Sequence, residues 1–239
     1  MDRHLSTVRA ALALSLFVCL AAAAPARAAT GLVAAYGFNQ GSGTAVTDSS
    51  GTGNNGSTSG TTWNASGRFG PALSFSGTNA SVTIPDSNSL DLAGGMTLEA
   101  WVNPTTSSGS WRTVVMKESP AGLNYALYSA ETSNRPSAHV FTTSELDTRG
   151  TSALPLNTWS HLAGTYDGAT LRLYVNGSQV ASKAVTGGIA TTNGALRIGG
   201  NAIWSEWFKG LIDEVRVYNR ALSAAEVAAD RDRAVAPGT

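Results

Sequence analysis

The sequence predicts an all-β fold, two packed antiparallel sheets with one short C-terminal helix, on three observations. Short β-branched and aromatic runs recur between clusters of Gly, Asn, Asp, Ser and Pro, the pattern of a sandwich or barrel. The stretch WSHLAGTYDGATLRLYVNGSQVASKAV, residues 159 to 185, sets Asp167-Gly168 and Asn176-Gly177 between three such runs, and these dipeptides tolerate the positive φ of tight hairpin turns. A single segment reads as a helix: Ser223 and Glu226 form a Ser-x-x-Glu capping box ahead of VAADRDRA.

In chain order, the N-terminus comes first and stands apart. Arg3, His4 and Arg9 precede an apolar run from Ala10 to Ala24, and Ala26-Arg27-Ala28 meets the small-x-small rule for secretory cleavage. Residues 1–28 are therefore read as a signal peptide and the protein as secreted. Cys19, the single cysteine, lies in that run, so the mature chain has no disulfide or thiol chemistry. Val18 before it does not suit lipidation. Removing Arg3, Arg9 and Arg27 from 16 basic residues and Asp2 from 16 acidic ones leaves 13 against 15, a net charge of about −2. That balance gives no electrostatic reason to bind nucleic acid or an anionic membrane, and no later stretch approaches the ~20 apolar residues of a span.

Residues 29–230 read as one domain and 231–239 as a tail whose end, VAPGT, should fray. Strands are predicted at 32–38, 72–75, 81–84, 97–102, 112–117, 124–129, 138–142, 160–166, 171–175, 179–185, 195–198 and 208–218. Within the run 171–175, Leu171, Leu173 and Val175 share the core side. In the last run, alternation puts Leu211, Asp213, Val215 and Val217 on one face, a carboxylate in an apolar row that needs a cation or several donors. TDSSGTGNNGSTSG, residues 47–60, has the composition of a linker, and SELDTRG, residues 144–150, reads as a loop.

Three stretches, in order, carry a family resemblance: GLVAAYGFNQGSGTAVTDSSGTGNNG, then TLEAWVNP with NTWSHLAGTYDGATLRLYVNG, then GLIDEVRVYNRALSAAEV. From about Gly31 to Val227 the chain resembles the laminin G-like (LamG-like) jelly-roll domain of the concanavalin A-like lectin/glucanase superfamily. The resemblance implies a jelly-roll sandwich and a structural calcium ion where the loop after the first strand meets the last strand, held by Asp48, Asn54 and Asp213. Backbone oxygens near Gly51 and Asn54 are further candidates, and Thr52 departs from the family's Gly-Asn-Gly-Asn pattern. The residues also allow a metal-free reading, with Asp48 closing an Asx-turn and Asp213 paired with Arg216 or Arg220.

Relatives on this fold bind sugars, adhere to proteins or hydrolyse glucans, so function has to be argued from sites. The glucanase signature is Glu-x-Asp-x-Glu, whose glutamates flank the glycosidic bond about 5 Å apart. Here Glu145 and Asp147 are followed by Arg149, one carboxylate short, and Glu99 has no partner nearby in sequence. His139 and His161 lack metal-ligand spacing, His161 reads as structural, and no Gly-x-Ser-x-Gly elbow or phosphate loop is present.

Aromatics remain. Sugars stack their C–H faces on tryptophan and tyrosine while amides and carboxylates fix the hydroxyls. Trp101 and Trp159 read as core, while Trp63, Trp111, Trp204 and Trp207 lie in or beside polar loops. A binding surface is expected from Trp111, Trp204 and Trp207 with Asn124, Tyr125, Arg135 and His139. The expected function is a secreted, calcium-stabilised, non-catalytic module that binds a polysaccharide or glycan. The alternatives are a polysaccharide hydrolase or lyase on the same fold, or a module that adheres to a protein surface.

Overall fold

The computed structural model describes residues 30–107 and 109–236. The expected signal peptide and the last three residues of VAPGT lie outside the described residues. The strands are β1 (Leu32–Tyr36), β2 (Ala45–Val46), β3 (Gly56–Ser59), β4 (Thr62–Asn64), β5 (Ala72–Ser76), β6 (Ser81–Ile84), β7 (Met96–Pro104) and β8 (Arg112–Ser119). They continue as β9 (Gly122–Ala130), β10 (Ser137–Phe141), β11 (Glu145–Arg149), β12 (Ser160–Tyr166), β13 (Thr170–Val175), β14 (Ser178–Ala184), β15 (Leu196–Ile198) and β16 (Lys209–Tyr218), and helix α1 (Ala224–Arg231) closes the chain.

Two antiparallel sheets pack face to face. The first runs β14-β13-β12-β7-β16-β5-β4, with β1 also paired to β16; the second runs β11-β10-β9-β8-β15-β6-β3-β2. Inward residues such as Leu98, Ala100 and Val102 of β7 meet Tyr125, Leu127 and Val140 of the second sheet in one continuous core. The expected meander is present, and Asn176 and Gly177 both take positive φ, 52° and 80°, as a tight two-residue turn requires. The capping box also forms, with Ser223 accepting from the Glu226 N–H.

Four strands escape the sequence reading. β2, β3 and β4 are short and built from residues with little apolar patterning. SELDTRG is a strand, not a loop: β11 pairs along its whole length with β10 at the edge of the second sheet. Trp101 is buried as expected but lies outside the core, on the outward side of the first sheet with Arg68 4.2 Å above its ring, while Trp159 is only half-buried.

β16 holds the first sheet together. It pairs with β7 on one side, and on the other with β5 over its first residues and with β1 over its last. The change of partner falls at a β-bulge between Asp213 and Arg216, where Glu214 takes a left-handed φ of 54°. The bulge overturns the expected alternation. Ile212, Val215 and Val217 face the core, while Asp213 turns outward beneath the loop at residues 67–71. Its Oδ2 accepts from the backbone N–H of Arg68 and Phe69, 2.8 and 3.2 Å away, and its Oδ1 from Glu214 N at 2.9 Å. The tail does not simply fray: Val235 is buried and its N–H donates to Glu214.

Beyond the bulge, α1 covers a polar cluster on the same outward side. Tyr218 donates to Asp230, Trp101 donates to the Arg231 carbonyl at 3.1 Å, and Val227 packs with Ala163, Tyr174 and Leu222. Glu99 is fully buried there; burial, and then the charge of Asp230, hold its carboxyl well above the usual range. His161, 5.4 Å from the Trp101 ring, has no hydrogen-bond partner for either nitrogen among the described residues, and burial together with the charge of Arg216 pushes it down to about 3. Unfolded histidine takes a proton near pH 6.5, so the folded chain binds fewer protons between about pH 6.5 and 3 and loses stability as pH falls through that window. Replacing His161 with Phe is expected to flatten the acid side of the stability profile, read by urea denaturation from pH 7 to 4; an unchanged slope would contradict this assignment.

Two glycines separate backbone strain from crowding. Gly51 and Gly199 have φ of 89° and 80°, but a Cβ on Gly51 meets nothing within 4 Å while one on Gly199 lies 2.0 Å from the Phe75 ring. Gly51→Ala is expected to cost about 1 kcal/mol, the left-handed penalty alone. Gly199→Ala is expected to cost about 3 kcal/mol, because crowding adds to that strain. Chemical denaturation of the two variants checks the difference.

Candidate functional site

The outward side of the second sheet gathers the polar and aromatic groups best placed for recognition. Register fixes who shares this face, because directly opposed residues on neighbouring strands project the same way. One row runs Asp147, His139, Ala126, Met116, Arg197, Thr83 and Ser57, and the next runs Arg149, Ser137, Tyr128 and Thr113. The middle is not bare: the loop between β15 and β16 lies across it.

Asn201, fully buried, organises that loop. Its amide donates to Thr113 Oγ1 at 2.9 Å and to Glu206 Oε2 at 2.8 Å, and its Oδ1 accepts the Trp204 N–H at 2.8 Å. Glu206 is thereby placed 3.1 Å from the Tyr128 hydroxyl, which donates to it. Burial raises the Glu206 carboxyl above the usual range against the hydrogen bonds from Asn201 and Tyr128, and the charge of Glu145 adds to the rise. Trp204 is 44% exposed, with its ring laid over Gly122, where a Cβ would come within 2.8 Å.

Three rings form the centre of the patch. Trp111 packs edge-on against Tyr128 at 4.9 Å and against His139 at 5.5 Å, and Tyr128 and His139 are 5.0 Å apart. His139 is held from both sides, by Ser137 Oγ at Nε2, 2.9 Å, and by Glu145 Oε1 at Nδ1, 2.8 Å. The chain Ser137–His139–Glu145 has the order of a nucleophilic triad, but Ser137 is fully buried and its hydroxyl fixes the imidazole instead of facing solvent. Trp111 and Glu145 are the parts of this chain a ligand can reach.

Of the expected surface residues, the structure brings Trp111 and His139 together and sets Trp204 on the same face but at the opposite end of the β8–β9 hairpin, over Gly122. The others are elsewhere. Tyr125 points into the core and donates to the Leu90 carbonyl at 2.9 Å. Asn124 is buried and donates to the Ala190 carbonyl. The Arg135 guanidinium is held on the β9–β10 turn by Ser133 at 2.6 Å and Glu131 at 3.8 Å. Trp207 packs on Gly200, where a Cβ would fall 2.2 Å from its ring. Tyr128, Glu206 and Asn201 were missed; only the alternation of Tyr128 with Ala126 along β9 could have signalled the first of them.

The carboxylates do not converge as a glucanase pair. Glu99 lies on the other sheet beneath α1; Glu118 accepts from Arg197 Nε at 3.0 Å and from Ala202 N at 2.7 Å; Asp147 accepts from Arg149 Nε at 2.6 Å.

The residues implied for calcium divide between two places. Asp48 and Asn54 are together: Asp48 Oδ2 accepts from Asn54 N at 2.9 Å, from Ser50 Oγ and from Thr52 Oγ1, and its Oδ1 accepts from Ala35 N and Ser50 N. The Asn54 amide donates to the Val33 carbonyl and to Ser89. Asp48 thus closes an Asx-turn, with Thr52 among its donors. Both the N–H and the C=O of Ala35 point to this loop, away from β16, so β1 stands between Asp48 and Asp213. Two strand spacings of roughly 10 Å are too far for one ion to bridge, since calcium–oxygen bonds are roughly 2.4 Å. Among the described residues no group of three or more His, Cys, Asp or Glu could hold a metal ion.

The sequence profile of the Laminin_G_3 family, described as the concanavalin A-like lectin/glucanases superfamily, matches residues 76–228. The chain belongs to this family. Among curated proteins, the Laminin_G_3 chain is 37% identical over 79 residues to pappalysin-1 of Mus musculus, a match that spans 31% of this chain and only 5% of pappalysin-1. Among solved structures it is similar to domain 4 of AbnA, an extracellular arabinanase of Geobacillus stearothermophilus, solved in complex with arabinotriose, with TM-score 0.70, 24% identity, and coverage of 84% of this chain and 98% of that one. The binding domain of Paraclostridial Mosquitocidal Protein 1 follows at TM-score 0.67, 18% identity, and coverage of 84% and 52%. The binding domain of botulinum neurotoxin DC, solved with rat synaptotagmin II, gives TM-score 0.65, 12% identity, and coverage of 84% and 51%. At these identities the structural matches establish the fold.

Proposed function

We propose that this Laminin_G_3 domain is a non-catalytic recognition module that binds a glycan on the outward side of the second sheet. The observation that carries the proposal is the cluster of Trp111, Tyr128 and His139, with Glu145 at its rim; the exposed Trp204 lies farther along the same face, over Gly122. Flat aromatic surface beside fixed acceptors is what a sugar's C–H faces and hydroxyls require. Every carboxylate on this face is held by its own partner, which suits positioning of hydroxyls better than proton transfer to a leaving group. The arabinotriose bound to the AbnA domain supports a sugar as the ligand class, and the secreted location read from residues 1–28 supports a polysaccharide outside the cell.

A glycan array followed by calorimetry tests this reading. Trp111→Ala is expected to weaken binding of an array-positive glycan by about tenfold or more, and Trp204→Ala by a smaller factor, because a stacked aromatic contributes about 1 kcal/mol beyond its buried area. Incubation with the same glycan is expected to release no new reducing ends or unsaturated products. Sustained turnover that one carboxylate substitution removes would replace binding with catalysis. A tight protein partner together with a blank array would favour adhesion.

The calcium ion implied by the family resemblance fits the bulge better than the Asp48 loop. Glu214 Oε1 is buried without a hydrogen-bond partner among the described residues; a Cβ on Gly37 would lie 3.6 Å from it and 2.8 Å from Asn39 Nδ2, and a Cβ on Gly70 would lie 2.6 Å from Asn39 Oδ1. A Cβ on Gly67 would lie 2.7 Å from Asp213 Oδ2 and 2.6 Å from the Gly70 and Pro71 carbonyl oxygens, so hard oxygen donors crowd this corner. Asp213, Glu214 and Asn39 with the Gly70 and Pro71 carbonyls would hold the ion, which would neutralise two adjacent carboxylates and tie the loop at residues 67–71 to β16. Calcium at about a hundred times its dissociation constant is expected to raise the melting temperature by roughly 5 °C. Glu214→Gln is expected to remove most of that rise. Identical melting in calcium and in chelator would sink the proposal.

A further inference from the structure

On the opposite side of the sandwich, the outward side of the first sheet carries a groove of about 410 Å³ where β16 begins. The volume falls in the range of roughly 300 to 1,000 Å³ typical of small-ligand clefts. Leu211 forms its floor, in register with Ser74 on β5 and Asn103 on β7, and Asn64, Asn157 and Lys209 complete the wall.

Two features give this groove a chemistry. The first is unused hydrogen-bonding capacity. Asn64 Oδ1 accepts the Ser66 N–H at 2.8 Å, which leaves its amide nitrogen available. The side chains of Asn103, Asn157 and Ser74 make no hydrogen bond to the protein among the described residues. The second is charge. Lys209 has no ion pair among the described residues, and no carboxylate lines the groove. The contrast with the outward side of the second sheet, with Glu118, Glu145, Asp147 and Glu206, is complete.

The groove is also built before any ligand arrives. The Lys209 stem lies along Gly77, where a Cβ would meet its Cβ, Cγ and Cδ at 2.8 to 3.1 Å, so the bare glycine gives the stem its course. The Lys209 carbonyl accepts the Thr105 N–H at 3.0 Å. Asn157 is set in a left-handed conformation, φ 53°, with its N–H on the Pro104 carbonyl at 2.8 Å. Fixing the Lys209 stem and the Asn157 backbone in advance lowers the entropy lost on binding.

We propose that this groove is a second saccharide site, specific for a sugar chain that carries carboxylates, such as a uronate oligomer. The sugar's C–H face rests on Leu211, its hydroxyls bond to Asn103, Asn157 and Ser74, and its carboxylate pairs with Lys209 beside the Asn64 amide. The site does not depend on the Trp111 patch, and the two are separable by mutation.

The probes are trigalacturonate, neutral galactotriose and sodium acetate, titrated calorimetrically into the full chain at low and at physiological salt. Trigalacturonate is expected to bind about tenfold more tightly than galactotriose, the worth of one hydrogen-bonded charge pair, and to weaken with salt. Lys209→Gln is expected to erase that preference, and Asn103→Ala to weaken both sugars several-fold; both side chains reach solvent, and an unchanged melting temperature confirms that the variants fold. Trp111→Ala is expected to leave trigalacturonate binding intact. Equal affinity for the two sugars, acetate binding as well as trigalacturonate, no binding at millimolar concentration, or loss of trigalacturonate binding in Trp111→Ala but not in Lys209→Gln would each overturn the proposal.

Discussion

One strand, β16, joins β1, β5 and β7, and the bulge at Asp213 and Glu214 is what lets a single chain segment serve both β5 and β1. A straight strand would keep one partner along each edge. Inserting an extra residue, with Glu214 in the left-handed region, bends the strand and leaves an opening where β5 ends and β1 has not begun. Backbone N–H groups from the loop at residues 67–71 and from Val235 point into this opening, and the carboxylates of Asp213 and Glu214 accept them. Burial pushes these two carboxyls up, to about 6 and about 8, so the arrangement holds charge-bearing groups at some cost in the middle of the sheet.

That constraint divides the outward side of the first sheet. Past the bulge, α1 and the tail cover Glu99, His161 and Arg216. Before it, the groove around Leu211 is left open among the described residues. The second sheet has a different plan. Its outward side is spanned by the β15–β16 loop, which Asn201 pins down and which brings Glu206 to Tyr128 and Trp204 over Gly122. The Trp111 patch and the Leu211 groove therefore offer unlike chemistry: aromatic rings with acidic acceptors on one, amides with the Lys209 ammonium on the other.

The sequence carried the strands and their hairpins well, because each is a local pattern: Asn176-Gly177 marks its turn, and Leu171, Leu173 and Val175 mark their face. It carried the bulge not at all. Glu214 has no glycine beside it to announce a positive φ, and strict alternation therefore put Asp213 with Val215 and Val217, which in fact face the core. The same limit let Asp48 be expected beside Asp213, since nothing local says that Ala35 turns its N–H and C=O away from β16. Trp111 and His139 were legible as candidates by type, whereas Tyr125 and Asn124 were misplaced because burial on β9 is complete on both faces. The pairing of Tyr128 with Glu206 spans 78 residues and depends on where the β15–β16 loop folds back, which no periodicity records.

The claim that this domain recognises saccharides on two distinct faces is tested most directly by amide and indole chemical shifts of the labelled protein during titration with neutral and uronate oligosaccharides. The expected result is that a neutral ligand moves the indole signals of Trp111 and Trp204 with their neighbours, while the uronate ligand moves the side-chain amides of Asn64, Asn103 and Asn157 and the signals of Leu211. Shifts that cluster on neither surface, or no shifts with any saccharide at millimolar concentration, would contradict it.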